Sequence, residues 1–149
     1  MFRDKSRFAC ALQALDRRDF AAAEAAFCEL LACDRLVSKE RAFLLNKRGV
    51  ARIGLEQRDL ARADFQSALE AVAQYAPALT NLGNLLLEDG DLEAAVAHYQ
   101  KAIAADCDYA LAYLNLGVAH KRAGRLAESV KALRRAQRLE RRTNGARLW

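Results

Sequence analysis

The chain has 149 residues, of which 53% are hydrophobic and 29% are charged, with seven Gly and only one Pro. This length suits a compact domain, and so little Gly and Pro excludes a sandwich or barrel of many short strands. The formal net charge is +5, and no apolar run reaches the roughly 18 residues that a membrane-spanning helix needs.

The first residues, Met1-Phe2-Arg3-Asp4-Lys5, mix charged and apolar side chains. No uninterrupted apolar segment follows them, so we expect no secretory signal and a cytoplasmic location. The cysteines show neither a CxxC spacing nor histidines at metal-ligand spacing, which predicts reduced, mostly buried thiols and no metal site. They are Cys10, Cys28, Cys33 and Cys107.

A period of 34 residues organises most of the chain. It separates Gly49, Gly83 and Gly117, and small or apolar residues recur 12, 16 and 19 positions after each glycine. Those positions hold Ala61, Ala95 and Ser129, then Phe65, Tyr99 and Leu133, then Ala68, Ala102 and Ala136. An earlier, degenerate repeat places Ala11 in the glycine position, 38 residues before Gly49. We expect its four extra residues, 38–41, to form a polar link between repeats.

Each period predicts two antiparallel helices joined by a tight turn. In the third repeat these helices are expected over about 78–89 and 92–105. A small residue such as Gly83 lets the two helices cross closely, and the aromatic side chain of Tyr99 fills the space beside it. Gly90 is expected at the end of the first helix with a positive φ, and Asp91 is expected to cap the second helix.

These positions resemble the tetratricopeptide repeat signature of a Leu-Gly pair, a turn glycine, an alanine, an aromatic residue and a second alanine. The third repeat matches at Leu82-Gly83, Gly90, Ala95, Tyr99 and Ala102, and the fourth at Tyr113, Leu116-Gly117, Gly124 and Ala136. In the first repeat Arg18 replaces the turn glycine, and the proline that usually ends a repeat is missing throughout.

The resemblance implies an all-α fold, a right-handed superhelical solenoid of about four helix-turn-helix units. The units are expected at approximately 4–37, 42–75, 76–109 and 110–143, in a single domain spanning 1–149 with a C-terminal tail at 144–149.

In this family the first helices line a concave groove, which implies binding of a peptide or helix from a partner protein. The expected groove residues are Asn46, Lys47, Thr80, Asn81, Asn84, Glu88, Asn115, Val118 and Arg122. Asn81 and Asn115 occupy equivalent positions, and an amide can pair with both the C=O and the N–H of an extended peptide. The segment 80–84 is similar to units of the O-linked N-acetylglucosamine transferase array, where an asparagine ladder binds peptide backbone. The alternative is that these amides bond to neighbouring turns or to water.

Positive charge collects at the C-terminal end. Residues 1–120 carry 14 basic and 17 acidic side chains, a balance of −3, whereas residues 121–149 carry ten basic and two acidic ones, a balance of +8. A basic stripe is predicted on the last helix at Lys131, Arg134, Arg135, Arg138, Arg141 and Arg142, and a buried side at Leu126, Val130, Leu133 and Ala136. The stripe is either a solvating cap of the array or a surface for an acidic partner. It lacks interleaved aromatic residues, which disfavours nucleic acid.

Thr143-Asn144-Gly145 predicts the end of this helix, before the terminal Leu148-Trp149 pair. The sequence predicts no catalytic residue and no cofactor, because the only histidines, His98 and His120, stand alone and no phosphate-binding loop is present. The function expected is a scaffold or adaptor that binds a protein or peptide. The alternatives are self-assembly into a homo-oligomer, through end faces or through Leu148-Trp149, and recruitment for a separately encoded enzyme.

Overall fold

The computed structural model describes residues 5–33 and 35–146, without the side chains of 144–146. The terminal Leu148-Trp149 pair lies outside the described residues. Eight helices and no strand occupy the described part of the chain. They are α1 (Lys5–Asp16), α2 (Phe20–Leu31), α3 (Ser38–Gly54), α4 (Arg58–Ala71), α5 (Ala76–Glu88), α6 (Leu92–Ala105), α7 (Ala110–Arg122) and α8 (Leu126–Ala146). The predicted all-α fold is confirmed.

The helices form two compact units, residues 1–73 and 74–149, which we call the N-terminal half and the C-terminal half. In the N-terminal half α1 pairs with α2 and α3 with α4, and α2 also packs on α3. Its core is built around Ala11, Phe27 and Leu44, all fully buried. The expectation of a single domain over 1–149 stays a prediction.

The C-terminal half repeats this arrangement. The hairpin of α5 and α6 is followed by the hairpin of α7 and α8, and α7 packs on both helices of the first hairpin. Tyr99, Val96 and Ala119 lie at the centre of the core, with Leu92 and Leu116 packed against them. Each 34-residue period is therefore one helical hairpin, as predicted.

The glycine that marks each period is required because the second helix passes directly over it. A Cβ built on Gly83 would lie 2.6 Å from Cε1 of Tyr99, and one built on Gly49 would lie 2.5 Å from Cε1 of Phe65. Both distances are shorter than any stable carbon–carbon contact. The predicted pairing of a small residue with an aromatic residue 16 positions later is confirmed.

The turns within the hairpins share one backbone conformation. Gly90 and Gly124 have φ values of +85° and +75°, as expected for glycine after a helix end. Arg18 and Glu56 occupy the same position in the first two hairpins, with φ values of +61° and +62°. Asp91 caps α6 by accepting a hydrogen bond from the Ala94 amide at 3.1 Å, as predicted.

Two predicted boundaries are wrong. Residues 38–41 are not a polar link, because α3 begins at Ser38 and the four extra residues add one turn to its N-terminal end. The signal Thr143-Asn144-Gly145 does not end α8, which continues to Ala146. The Thr143 hydroxyl donates a hydrogen bond to the Leu139 carbonyl at 3.1 Å, a bond made within a continuing helix.

Candidate functional site

Three polar side chains meet where α5, α6 and α7 come together in the C-terminal half. The Asn84 Oδ1 atom accepts one hydrogen bond from the Tyr99 hydroxyl and a second from the Asn115 amide, both at 2.8 Å. Tyr99 is fully buried, whereas Asn84 and Asn115 are half-buried. The buried hydroxyl therefore fixes the orientation of an asparagine pair that still reaches the surface.

The orientation of the pair leaves specific groups available. With Asn84 Oδ1 occupied twice, the Asn84 amide N–H groups and the Asn115 carbonyl oxygen bond to no described residue. One side offers donors and the other an acceptor, which is the pairing that an extended peptide backbone requires.

Charged groups surround this cluster. The Arg122 guanidinium donates to the Leu87 carbonyl at 3.3 Å and is otherwise exposed. Burial raises the pKa of Tyr99 to about 12; the nearby positive charge of Arg122 opposes this shift and the negative charge of Glu88 adds to it. The tyrosine is therefore a neutral hydrogen-bond donor at physiological pH.

The other predicted groove residues differ in accessibility. Thr80 is fully buried and Asn46 is 5% exposed, so neither offers much surface to a ligand. Lys47 is half-buried and its ammonium lies 5.4 Å from the centre of the Phe43 ring. Asn81 is half-buried, whereas Glu88 and Val118 are exposed. The assignment of these residues to a peptide-binding groove stays a prediction.

The basic stripe on α8 is partly engaged within the protein. Arg135 and Arg142 approach the Asp108 carboxylate at 3.6 and 3.7 Å, and Arg135 also lies over the Tyr113 ring. Arg138 donates to the Arg134 carbonyl at 3.3 Å. Lys131 and Arg141 are exposed. Only part of the stripe therefore remains available to an acidic partner.

The predicted buried side of α8 is wrong at two of its four residues, Leu126 and Val130. Leu126 and Val130 are 64% and 46% exposed, and Leu133 is half-buried. Of the predicted set only Ala136 is buried, and it shares the buried face with Ser129, Ala132 and Leu139. Small residues fill this face because α7 and α8 cross closely, and the Ser129 hydroxyl donates to the Gly117 carbonyl at 2.8 Å across the crossing.

The sequence reasoning missed a buried ionic cluster in the N-terminal half. Asp64, 3% exposed, accepts two hydrogen bonds from Arg48, at 3.0 and 2.7 Å, and one from Arg52 at 3.0 Å. Arg52 also pairs with Glu24 at 2.8 Å. The hydrogen bonds with Asp64 raise the pKa of Arg48 above its ordinary value. The sequence does contain a signal of this cluster, because Arg48 stands at a core position where the later repeats carry Leu82 and Leu116.

The remaining reactive side chains form no catalytic arrangement within the described residues. His98 bonds to the Ala94 carbonyl of its own helix at 3.0 Å, and His120 is buried with no described partner for Nδ1.

All four cysteines are free and exposed, so the expectation of mostly buried thiols is wrong. Cys33 and Cys107 lie in the connections between hairpins, which explains their exposure. None of the described helices combines the length and apolar character that a membrane crossing needs.

Comparisons with known proteins bear on the C-terminal half most directly. A family model described as TPR repeat matches residues 83–124, and one described as tetratricopeptide repeat matches residues 110–143. Together these two matches cover residues 83–143, less than half of the chain. A sequence comparison with curated proteins found no match.

Solved structures extend the likeness in fold to nearly the whole chain. MamA is 20% identical with a TM-score of 0.72, over 97% of this chain and 82% of that chain. YrrB, described as a TPR protein with an unusual peptide-binding site, is 20% identical with a TM-score of 0.65, over 93% and 69% of the two chains. The second TPR of Spaghetti (RPAP3), bound to the HSP90 peptide SRMEEVD, is 22% identical with a TM-score of 0.62, over 68% and 94%. These identities show the fold alone, and the likeness to the O-linked N-acetylglucosamine transferase array stays a prediction.

Proposed function

We propose that the protein is a non-catalytic scaffold that binds an extended peptide of a partner protein across α5 and α7. The observation that carries this proposal is the oriented Asn84–Asn115 pair, whose amide donors and carbonyl acceptor are unused by any described residue. The same two groups match the alternating C=O and N–H of a peptide backbone. Binding of this kind tolerates many side chains, because the contacts are made to the backbone.

The proposal changes the role first expected of the asparagines. The predicted ladder used Asn81 and Asn115 as two equivalent contacts along the groove. The hydrogen bond from Asn115 to Asn84 instead joins neighbouring helices, so the proposed contact is the pair formed by position 84 of one repeat and position 115 of the next. Arg122 is exposed about two turns after Asn115 along α7, and it supplies a positive charge for an acidic side chain of the peptide.

Two structural neighbours support a role in peptide binding by analogy only. YrrB is described as having a peptide-binding site, and the Spaghetti domain is described as bound to an HSP90 peptide. Fold similarity does not transfer a ligand. The analogy makes a peptide the first ligand class to test.

The experiment is a selection of displayed random peptides on the folded chain, followed by affinity measurements on variants. Asn115→Ala removes the proposed acceptor, and Arg122→Ala removes the charge. Each is expected to weaken the selected peptides about five- to tenfold, the loss of roughly one hydrogen bond or one charge-assisted contact. Gln100→Ala on α6 is the matched control, because it removes an exposed amide outside the cluster.

Thermal unfolding of each variant separates loss of binding from loss of fold. The proposal fails if peptides selected on the chain bind the Asn115→Ala and Arg122→Ala variants as tightly as they bind the Gln100→Ala variant. It fails equally if no peptide is selected from a library of adequate diversity.

A further inference from the structure

The C-terminal half shows how one hairpin covers the next. The side of the α5–α6 hairpin that faces α7 contains Leu92 and Val96, which pack with Leu116 and Ala119 of α7. Val96 is consequently only 5% exposed. A hairpin of this array therefore has an apolar side that is buried only when a further helix lies on it.

The α7–α8 hairpin has the same side, 34 residues later, and none of the described helices covers it. Val130, the equivalent of Val96, is 46% exposed, and Leu126, the equivalent of Leu92, is 64% exposed. On α7, Leu111, Leu114 and Val118 are 42%, 38% and 37% exposed. No described residue covers these five side chains. We call them, together with the half-buried Leu133, the end face.

The end face is one continuous surface. Leu111, Leu114 and Val118 are spaced by three and four residues, so they form a single stripe along α7. Leu114 of α7 and Val130 and Leu133 of α8 line the same surface pocket. Exposed aliphatic side chains are ordinary when single, but a contiguous group on two helices marks an interaction surface.

Positive charge borders the end face. The pocket that contains Val130 is itself balanced in charge, because its charged lining residues are Arg134 and Glu140. On α7 the stripe continues into Lys121 and Arg122, which are exposed in the last turn. An occupant that matches this surface has an apolar stripe flanked by carboxylates.

We propose that the end face binds an amphipathic helix of a partner protein, with Asp or Glu beside its apolar stripe, seated as α7 is seated on the α5–α6 hairpin. The proposal does not depend on peptide binding by the Asn84–Asn115 pair. The equivalent surface on α5 and α6 supplies the geometry, and the basic border supplies the charge preference.

A second copy of the chain matches this surface poorly. Each end face carries Lys121 and Arg122 in the last turn of α7, and α7 carries no carboxylate, so two end faces in contact lack the charge complement. A head-to-tail arrangement would present α1, which carries exposed polar or small residues where α7 has Ala112, Leu116 and Ala119. Those residues are Ser6, Cys10 and Gln13. A separate acidic helix is the better complement.

The ligand for the test is a helix-stapled peptide of residues 110–122, the segment that covers the equivalent internal surface. In the acidic form H120E, K121E and R122E replace its basic last turn, and the unmodified peptide is the charge control. The acidic peptide is expected to bind the full chain at least about fivefold more tightly than the unmodified one at low salt, and the difference is expected to shrink as salt screens it.

Val130→Glu should weaken the acidic peptide by about tenfold or more, because it places a like charge and removes an apolar contact at the centre of the surface. Leu60→Glu is the matched control, since Leu60 is 49% exposed on α4, outside the end face. Asn115→Ala should leave this binding unchanged, which keeps the test separate from peptide binding by the asparagine pair.

Three results would overturn the proposal. Affinity within about twofold of wild type for Val130→Glu would show that the peptide binds elsewhere. A dimer mass in light scattering that Val130→Glu converts to a monomer mass would identify a second copy as the occupant. Binding that appears only after removal of residues 147–149 would identify the chain's own C-terminal residues as the occupant.

Discussion

Replacing Asp64 with alanine should be among the most destabilising single changes in the N-terminal half. The Asp64 carboxylate is 3% exposed and accepts three hydrogen bonds, two from Arg48 and one from Arg52. Its removal leaves the Arg48 guanidinium with two unpaired donors next to a cavity. Breaking a buried pair from one side costs about 3–5 kcal/mol, a large part of the roughly 5–15 kcal/mol that holds a domain together.

Removing both partners should cost much less. Later repeats carry leucine in the Arg48 position, and the fourth repeat carries Ala132 in the Asp64 position. The double substitution Arg48→Leu with Asp64→Ala therefore recreates a combination that this fold already packs. Arg52 keeps its 2.8 Å bond to Glu24 in that variant. We expect the double variant to lie within about 1–2 kcal/mol of wild type, because an apolar pair avoids the desolvation of two charges.

The assay is urea unfolding of the two single variants and the double variant, followed by far-ultraviolet circular dichroism. Asp59→Ala is the matched control, because Asp59 is an exposed carboxylate on the same helix, and it should cost no more than about 1 kcal/mol. The ionic-cluster argument is refuted if Asp64→Ala costs no more than Asp59→Ala. It is also refuted if the two single changes add without a coupling of at least about 1 kcal/mol.

Three further outcomes follow from individual positions. Gly83→Ala should lower stability by about 1–3 kcal/mol, seen as a lower melting temperature, because the new Cβ would meet the Tyr99 ring at 2.6 Å; an unchanged melting temperature would contradict this packing. Arg18→Gly and Glu56→Gly should each raise stability by up to about 1 kcal/mol, because both side chains stand at positive φ; a loss on urea unfolding would show that other contacts outweigh the strain. Tyr99→Phe should cost about 1 kcal/mol at neutral pH through the lost bond to Asn84. Burial raises the pKa of Tyr99 to about 12 from an unfolded value of about 10, so the stabilising effect of its neutral hydroxyl is complete below pH 10 and is lost as pH rises through 12. The Tyr99→Phe variant should therefore lose less stability than wild type between pH 10 and 12. An equal loss would contradict the raised pKa of Tyr99.

Hairpin positions followed from the sequence because one steric requirement recurs at a fixed spacing. The helices expected over about 78–89 and 92–105 are α5 (Ala76–Glu88) and α6 (Leu92–Ala105). Gly83 and Tyr99 fix this register, since no larger residue fits where the two helices cross. The period therefore identifies both helices and the turn between them without knowledge of their surroundings.

The ends of helices that lie away from such contacts could not be predicted from the sequence. Residues 38–41 are polar and break the period, yet they extend α3 because nothing in them opposes a helix. Glycine commonly follows the end of a helix, which made Gly145 a stop signal. In α8 the preceding residues Leu139 and Thr143 stay bonded along the helix, so the local stop signal has no effect before Ala146.

The asparagine pair was predictable in composition but not in arrangement. Asn84 and Asn115 were both expected at the groove, yet the direction of their amides depends on the Tyr99 hydroxyl, which reaches Asn84 from a third helix. The ionic cluster could not be predicted from the sequence for a related reason. Arg48 and Asp64 look like surface charges in sequence, and only the packing of α3 on α4 shows that they neutralise each other.

The reversed assignment on α8 reflects how this fold divides its apolar residues. On α8 the small side chains of Ala132 and Ala136 are buried, whereas Val130 is exposed at the position where Val96 of α6 packs against α7. Ranking the residues of α8 by hydrophobicity selects the larger aliphatic ones. It therefore selects the side of the helix that, on α6, packs against α7. On α6 that side is buried by α7, whereas on α8 it is exposed. The exposure of Val130 is therefore the expected state of a hairpin on which no described helix packs.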